Sequence, residues 1–295
     1  MRLRFLSLNT GLLKFFGRSF PTPYVAERAL ALPGRIAALN CDIVLLQEIY
    51  GNTYRQNLAE SLKHRFPFAI APRKTRNFGL QNGLMVLSRY PATGTLELFR
   101  DAPFDETLFD SKGVLISQHQ LPGDAQLTIL NLHTTAGGTF SHPESAKIEN
   151  FRSRQIQQVI ERANEINSPL IIAGDLNAGP GVSEINFREV LDAGFVSVHD
   201  LISPESKDIT WDPLNKLNSN GPHQVCPPQR IDHVFLRASD HRDRTVRALS
   251  SVICLEEPIV QIAGANPVSI SDHYGICVEV DVSSGGLSDE ANSAI

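Results

Sequence analysis

Cysteine is scarce in this chain. Cys41, Cys226, Cys254 and Cys277 include no Cys-x-x-Cys and no short paired spacing, which argues against a thiolate zinc site and against a dense disulfide framework. Cys277 lies in an alternating apolar run and Cys41 just before another, so both are read as small buried hydrophobes. No apolar run approaches membrane-spanning length. Positive charge is not in excess either: 27 Lys and Arg against 32 Asp and Glu leave a net charge of -5. The chain therefore has no overall basic field to draw in nucleic acid or anionic lipid, although a local cationic patch would suffice. The opening stretch Met1–Asn9 turns polar too soon for the apolar core of a signal peptide. A cytoplasmic location is the expectation, with secretion by a leaderless route or from a trimmed precursor as the alternatives. No internal repeat and no linker interrupt the chain before a polar tail at 283–295, so residues 1–282 are expected to form one domain and the tail to fray.

What is present is an irregular alternation of strand-like and helix-like segments. Residues 2–9, 42–48, 83–88, 113–118, 126–133, 170–173, 231–237, 246–255 and 274–282 read as strands. Helical spacing marks 24–40, interrupted by Pro33-Gly34 and so two short pieces or a kinked one, together with 53–66 and 144–166. A further helix is expected at 183–193, capped by Ser183 and stopped by Gly194. Residues 96–111 and 134–143 read as loops, and 200–229 has little regular pattern. Several direct strand-to-strand steps exclude a pure doubly wound parallel sheet; two mixed sheets facing each other, with helices outside, fit better.

Within that pattern Ile171-Ile172-Ala173-Gly174-Asp175-Leu176-Asn177-Ala178-Gly179-Pro180 stands out. An apolar run stops at an acid and an amide two residues apart, which the period of a strand places on one face. The pair could serve a phosphate, a metal or a water, or could simply close an Asx turn. Five other polar positions also sit at predicted strand ends: Asn9, Glu48, His133, Asp232, and Asp272 with His273. Strand ends pointing one way would form a polar rim over an apolar core. Glu48, Asp272 and Asn9 supply the hard oxygen ligands that Mg²⁺ prefers, whereas histidines and thiolates are too dispersed for zinc. His133 and His273 titrate near neutral pH in the unperturbed state, so one could accept a proton from water. Asp232 could hold His273 in one tautomer.

Ser7-Leu8-Asn9, Leu46-Gln47-Glu48, Asn131-Leu132-His133, Gly174-Asp175-Leu176-Asn177, Arg230-Ile231-Asp232-His233 and Ser271-Asp272-His273 occur in the order that resembles the endonuclease/exonuclease/phosphatase superfamily. The resemblance implies a four-layered α/β sandwich of the deoxyribonuclease I type and a Mg²⁺-dependent phosphodiesterase or phosphatase without a covalent enzyme intermediate, with Mn²⁺ as a possible substitute. His133 stands where the abasic-site endonuclease branch typically has tyrosine. Gly83–Pro91, Ser111-Lys112-Gly113 and Thr210-Trp211-Asp212-Pro213-Leu214-Asn215 resemble the neutral sphingomyelinase branch. Thr134-Thr135-Ala136-Gly137-Gly138 departs from the Leu-Gln-Ala or Leu-His-Ala often found there, and no long aromatic hairpin is seen.

The resemblance implies Glu48 as principal metal ligand, with Asn9 and Asp272 completing or flanking the site. Asp175 and Asn177 would position the attacking water and bind a phosphoryl oxygen. His273 would be the general base oriented by Asp232, and His133 would stabilise the phosphoryl group or leaving oxygen. Lys112 is an implied extra phosphate contact, set against an exposed lysine at a strand start. The expected substrate is sphingomyelin, a related phospholipid or another phosphodiester, with peripheral membrane contact. Nucleic acid is the less favoured partner, through Arg73-Lys74-Thr75-Arg76 or Arg242-Asp243-Arg244; a non-catalytic lipid- or protein-binding module is the remaining alternative.

Overall fold

The structure, a computed structural model, describes residues 1–15, 18–19, 21–72, 82–109, 111–137, 142–219, 223–243 and 245–283. The chain opens with β1 (Arg2–Leu12), a ribbon of β2 (Lys14–Phe15) and β3 (Arg18–Ser19), α1 (Val25–Ala38), β4 (Ile43–Ile49) and α2 (Asn52–Leu62). It continues with β5 (Phe68–Ile70), β6 (Met85–Ser88), β7 (Ala92–Leu98), α3 (Phe104–Phe109), β8 (Gly113–Gln120), β9 (Gln126–His133) and α4 (Ala146–Asn164). Then come β10 (Leu170–Asp175), α5 (Glu184–Asp192), β11 (Phe195–Ser197), α6 (Val198–Ile202), β12 (Asp232–Arg237) and α7 (Ala238–Arg242). The last elements are β13 (Val246–Cys254), a ribbon of β14 (Val260–Ile262) and β15 (Ala265–Val268), and β16 (Gly275–Val282).

The larger strands form two six-stranded mixed sheets, ordered β13-β16-β1-β4-β6-β5 and β11-β12-β10-β9-β8-β7. Strand alternation divides their side chains among three apolar layers. Leu3 and Phe5 of β1, Ile43 and Leu45 of β4, Leu127 and Ile129 of β9, and Ile171 and Ala173 of β10 meet between the sheets. Val44 and Leu46 turn outward to pack with Val25, Leu32 and Ile36 of α1. Leu130, Leu132 and Ile172 pack on the other outer face with Ile156 and Val159 of α4. The result is the expected four-layered α/β sandwich.

The same alternation places the site. Counting in twos along the inner face, Leu3 and Phe5 lead to Ser7 and Asn9, Leu127 and Ile129 lead to Asn131 and His133, and Ile171 and Ala173 lead to Asp175. The apolar inter-sheet layer thus turns polar at one end. Gln47 Nε2 of one sheet donates to Asn131 Oδ1 of the other at 2.7 Å, and Asn131 Nδ2 donates to Leu46 O and Met85 O at 3.1 and 3.2 Å. These bonds cross between the sheets just beneath the acids.

Several expectations change. Asp232 begins β12, and Asp272 and His273 precede β16, so these residues lie at strand starts and not ends. They still reach the common rim, because β12 runs antiparallel to β10 and β16 antiparallel to β1. Helix α1 continues through Pro33, since its buried stripe is uninterrupted. Ser183 makes no side-chain cap: its backbone is left-handed at φ 43°, and Asn186 N–H bonds the Ser183 carbonyl at 2.9 Å instead. Residues 96–111 are not one loop. They hold the end of β7 and helix α3, and β7 owes its form to pairing with β8 over Ala92–Leu98, which its mostly polar, exposed sequence does not announce. Residues 284–295 of the expected tail lie outside the described residues.

Candidate active site

Asn9 joins the two sheets at the rim. Its Nδ2 donates to Glu48 Oε1 at 3.1 Å and to Asp175 Oδ2 at 2.8 Å, and its Oδ1 accepts the N–H of Gly11 at 3.1 Å. The amide nitrogen, and not the oxygen, therefore faces the carboxylates. His133 Nε2 lies 3.5 Å from Glu48 Oε1 and 3.6 Å from Asp175 Oδ2. Across the rim, His273 Nδ1 meets Asp232 Oδ2 at 2.8 Å, while its Nε2 stands 4.0 Å from Asp175 Oδ2. Asp272 flanks the group: Thr22 Oγ1 donates to its Oδ2 and Ser271 Oγ to its Oδ1, both at 3.0 Å.

Glu48 reaches this cluster by breaking the strand rule. In strict alternation it would share the outward face of Val44 and Leu46, but its φ of 53° is left-handed and turns the carboxylate inward. Gly83 makes room for that turn: a Cβ there would lie 3.2 Å from Glu48 N and Cα. Asn177 differs from the expected two-residue strand face. β10 ends at Asp175, Asn177 is left-handed at φ 50°, and its N–H bonds Asp175 Oδ1 at 2.8 Å in an Asx turn. The turn and the site coexist, because Asp175 uses one oxygen for each. Asn177 Nδ2 donates to Thr134 O at 3.0 Å.

Lys112 is buried, not an exposed strand-start lysine. Its Nζ donates to Thr134 O at 3.0 Å and lies 3.4 Å from Glu106 Oε1, with Thr135 Oγ1 donating to that same carboxylate oxygen at 2.7 Å. All the residues singled out from the sequence, Asn9, Glu48, Lys112, His133, Asp175, Asn177, Asp232, Asp272 and His273, are thus gathered around one rim.

The crowding of acids sets the electrostatics. Burial, then the charge of Asp272, pushes the Glu48 carboxyl up to about 7 against the pull of Lys112 and Asn9. Burial, then Asp232, pushes Asp175 up to about 6. The two histidines do not titrate near neutrality as their type suggests. Burial, reinforced by Lys112 and His273, drives His133 well below its ordinary value and keeps it neutral. At His273 burial opposes the charged form, but the charge and hydrogen bond of Asp232, with Asp175 and Asp272, overcome it and drive the ring well above its ordinary value. Four acids facing two histidines and one lysine form an acid excess that a cation would balance. Glu48, His133 and Asp175 offer ligand atoms within 4.8 Å of one another, as do Asp175, Asp232 and His273. Oxygen-rich donors of this kind suit Mg²⁺ or Mn²⁺.

Two contributors escape a reading by strand ends. Arg28 of α1 and Arg152 of α4 are fully buried, each on its helix's apolar stripe, between Val25 and Leu32 and between Ile148 and Ile156. Arg152 holds the segment after His133 by donating to Thr135 O through Nε and Nη2, both at 3.1 Å. A charge at a core position of a helix was the available signal.

A sequence model of the Endonuclease/Exonuclease/phosphatase family matches residues 6–273. The Drosophila melanogaster protein "Putative neutral sphingomyelinase" is 24% identical over 283 residues, covering 93% of this chain; the chain spans 61% of that relative's length. Among solved structures, SmcL superposes with a TM-score of 0.75 at 18% identity, covering 95% of this chain and 99% of its own. Truncated TDP2 of Caenorhabditis elegans superposes with a TM-score of 0.68 at 15% identity, over 95% and 97% of the two chains. A beta toxin variant from Staphylococcus aureus with bound magnesium ions superposes at 0.69 with 19% identity, over 94% and 99%. At these identities the structural likenesses establish the deoxyribonuclease I-like fold.

Proposed function

This chain belongs to the endonuclease/exonuclease/phosphatase family, and from that premise we propose that it is a metal-dependent phosphodiesterase of the neutral sphingomyelinase kind, hydrolysing sphingomyelin or a related phospholipid. The observation that carries the reading is the convergence of Glu48, Asp175 and His133 on one side and the Asp232–His273 pair on the other, joined through Asn9. Similarity to the relative named "Putative neutral sphingomyelinase" favours the lipid.

We assign the ligand role chiefly to Glu48, with Asp272 beside it. Asn9 orients Glu48 and Asp175 through its amide nitrogen. A bound Mg²⁺ would polarise a phosphoryl oxygen, a contribution of several kcal/mol. The acids around His273 favour its protonated ring; where a bound cation offsets them, Nε2 is free to take the proton of the attacking water, with Nδ1–H held toward Asp232. Asp175 Oδ2, 4.0 Å from that Nε2, is spaced to share the same water. Neutral His133 donates a hydrogen bond to the phosphoryl or leaving oxygen, and Lys112, tied to Thr134 O, adds positive charge behind it.

The nuclease reading draws less support. Arg242 and Asp243 follow the far end of β12, the end remote from Asp232, and residues 73–76 lie outside the described residues. The test is incubation with sphingomyelin in mixed micelles and Mg²⁺, followed by detection of phosphocholine, with phosphoinositides and plasmid DNA in parallel. Phosphocholine release that disappears with EDTA is the expected result. Cleavage of plasmid DNA alone would overturn the lipid assignment. Glu48→Gln and His273→Ala are each expected to lower turnover by about 10²–10⁴; unchanged turnover in both would remove them from the catalytic set, and no cleavage of any phosphodiester by the parent would revive a non-catalytic module.

A further inference from the structure

The segment following Trp211 is built into the site at its base and apolar at its tips. Trp211 and Gln229 exchange backbone hydrogen bonds of 2.9 Å in both directions, and Trp211 also bridges His273. Thr210 O accepts the N–H of Tyr274 at 2.6 Å. Thr210 Oγ1 accepts the N–H groups of Ile231 and Asp232 at 3.0 and 3.1 Å. The base of the segment is thereby bonded on either side of the Asp232–His273 pair.

Two arms leave this base. In the first, Asn215 Nδ2 donates to Ser271 O and Asn218 Nδ2 to Asp272 O, both at 3.0 Å. In the second, Cys226 is buried against Trp211, Val182 and Ile231. Between these anchors the tips point outward: Leu214 is 85% exposed and Val225 82%, and Pro227 and Pro228 are exposed beside Val225. An isolated exposed apolar residue is ordinary on a protein surface. Here the exposure coincides with a charge pattern. After Asp212, whose Oδ1 accepts the Leu214 N–H at 2.8 Å, there is no Asp or Glu until Asp232, although the chain holds 32 acids and a net charge of -5, and the exposed Lys216 stands two residues from Leu214.

We propose that these two arms form a membrane-contact surface, whose Leu214 and Val225 tips enter the headgroup boundary of a phospholipid bilayer while Lys216 meets lipid phosphate. Apolar tips beside a cationic side chain match the chemistry of that boundary, and the neighbouring acid, Asp212, has one oxygen engaged by the Leu214 N–H. Because the base of the arms is bonded to the backbone around Asp232, Asp272 and His273, seating the tips brings the catalytic rim to the depth of the headgroup phosphodiester. This inference rests on the phospholipid reading above.

The test is co-sedimentation of the full chain with vesicles of phosphatidylcholine and sphingomyelin, comparing the parent with Leu214→Asp/Val225→Asp and with the milder Leu214→Ser/Val225→Ser. The parent is expected to sediment with the vesicles, and the Asp pair to reduce partitioning by about tenfold or more, the Ser pair by less. Hydrolysis of the soluble diester bis(4-nitrophenyl) phosphate is expected to be unchanged in both pairs, which separates membrane contact from misfolding. Failure of the parent to bind vesicles, or equal binding by all three proteins while the soluble diester is still cleaved, overturns the membrane surface and leaves the proposed chemistry standing. Loss of a dimer in the variants without change in vesicle binding overturns it in favour of a second copy of the chain. Vesicle binding that depends on Leu214 and Val225 without any phosphodiester cleavage supports the surface and sinks the enzymatic reading instead.

Discussion

Beneath the site, the Arg28 guanidinium donates to Thr10 O at 2.8 Å, Gly11 O at 2.6 Å, Ile270 O at 3.2 Å and Pro23 O at 3.0 Å. One side chain thus ties the end of β1, which carries Asn9, to the approach to Asp272. Its charge also lies within reach of Glu48 and Asp272, whose attraction works against the burial that weakens its proton. Arg28→Met leaves several carbonyls without donors and removes a buried counter-charge. A loss of about 3 kcal/mol is expected, measured as a shift in the urea midpoint with unchanged m. Gly11 tests the same region from the other side. Its φ is 52°, and a Cβ would fall 2.1 Å from Asp272 Oδ1, so Gly11→Ala must move that carboxylate. The expected outcome is weaker Mg²⁺ binding by calorimetry, larger in proportion than the loss of thermal stability; equal Mg²⁺ affinity would remove Asp272 from the ligand set.

At the scale of elements, the strands that bear the site were legible because their apolar residues lead into a polar one at or near the strand end. Ile43–Ile49, Gln126–His133 and Leu170–Asp175 could each be seen this way. The edge strands β5, β7 and β11 were not, although the edge strand β13 was. β7 and β11 take their form from partners distant in sequence, and periodicity in a single segment carries no record of that pairing. The direction of strands was equally hidden, so Asp232 and His273 were placed on the right rim from the wrong ends. Local backbone was hidden too: nothing in Leu46-Gln47-Glu48 announces a left-handed glutamate. That turn depends on β6's neighbour Gly83, at φ 69°, packing against the Glu48 backbone. Gly83→Ala is therefore expected to cost about 1–3 kcal/mol and to reduce turnover by more than its stability loss explains. Kinetics below the unfolding transition would show this; wild-type kcat with a lowered Tm would mean that the Glu48 turn survives the crowding.

Across the whole molecule, the two sheets are joined by polar contacts as well as by their apolar layer, and one of these is a titratable group. His119 of β8 is 1% exposed, with Nδ1 3.1 Å from Ser88 Oγ on the opposite sheet and Nε2 2.9 Å from Ser117 Oγ on its own. Burial lowers its pKa from 6.5 to about 4. Between those values the unfolded chain binds the proton that the folded chain refuses, so stability rises with pH across the window and is lost as pH falls from 6.5 toward 4. Glu48 and Asp175 act in the opposite sense, since their raised values let the folded state bind protons first, and the two trends partly cancel in the parent protein. The contribution of His119 emerges by difference. His119→Gln keeps hydrogen-bonding capacity between the sheets but cannot titrate. Relative to this variant, the parent is expected to lose ~2 kcal/mol of unfolding free energy between about pH 8 and about pH 5. Urea denaturation of both proteins at each pH measures it, and parallel stability curves would show that the imidazole is protonated between the sheets without penalty.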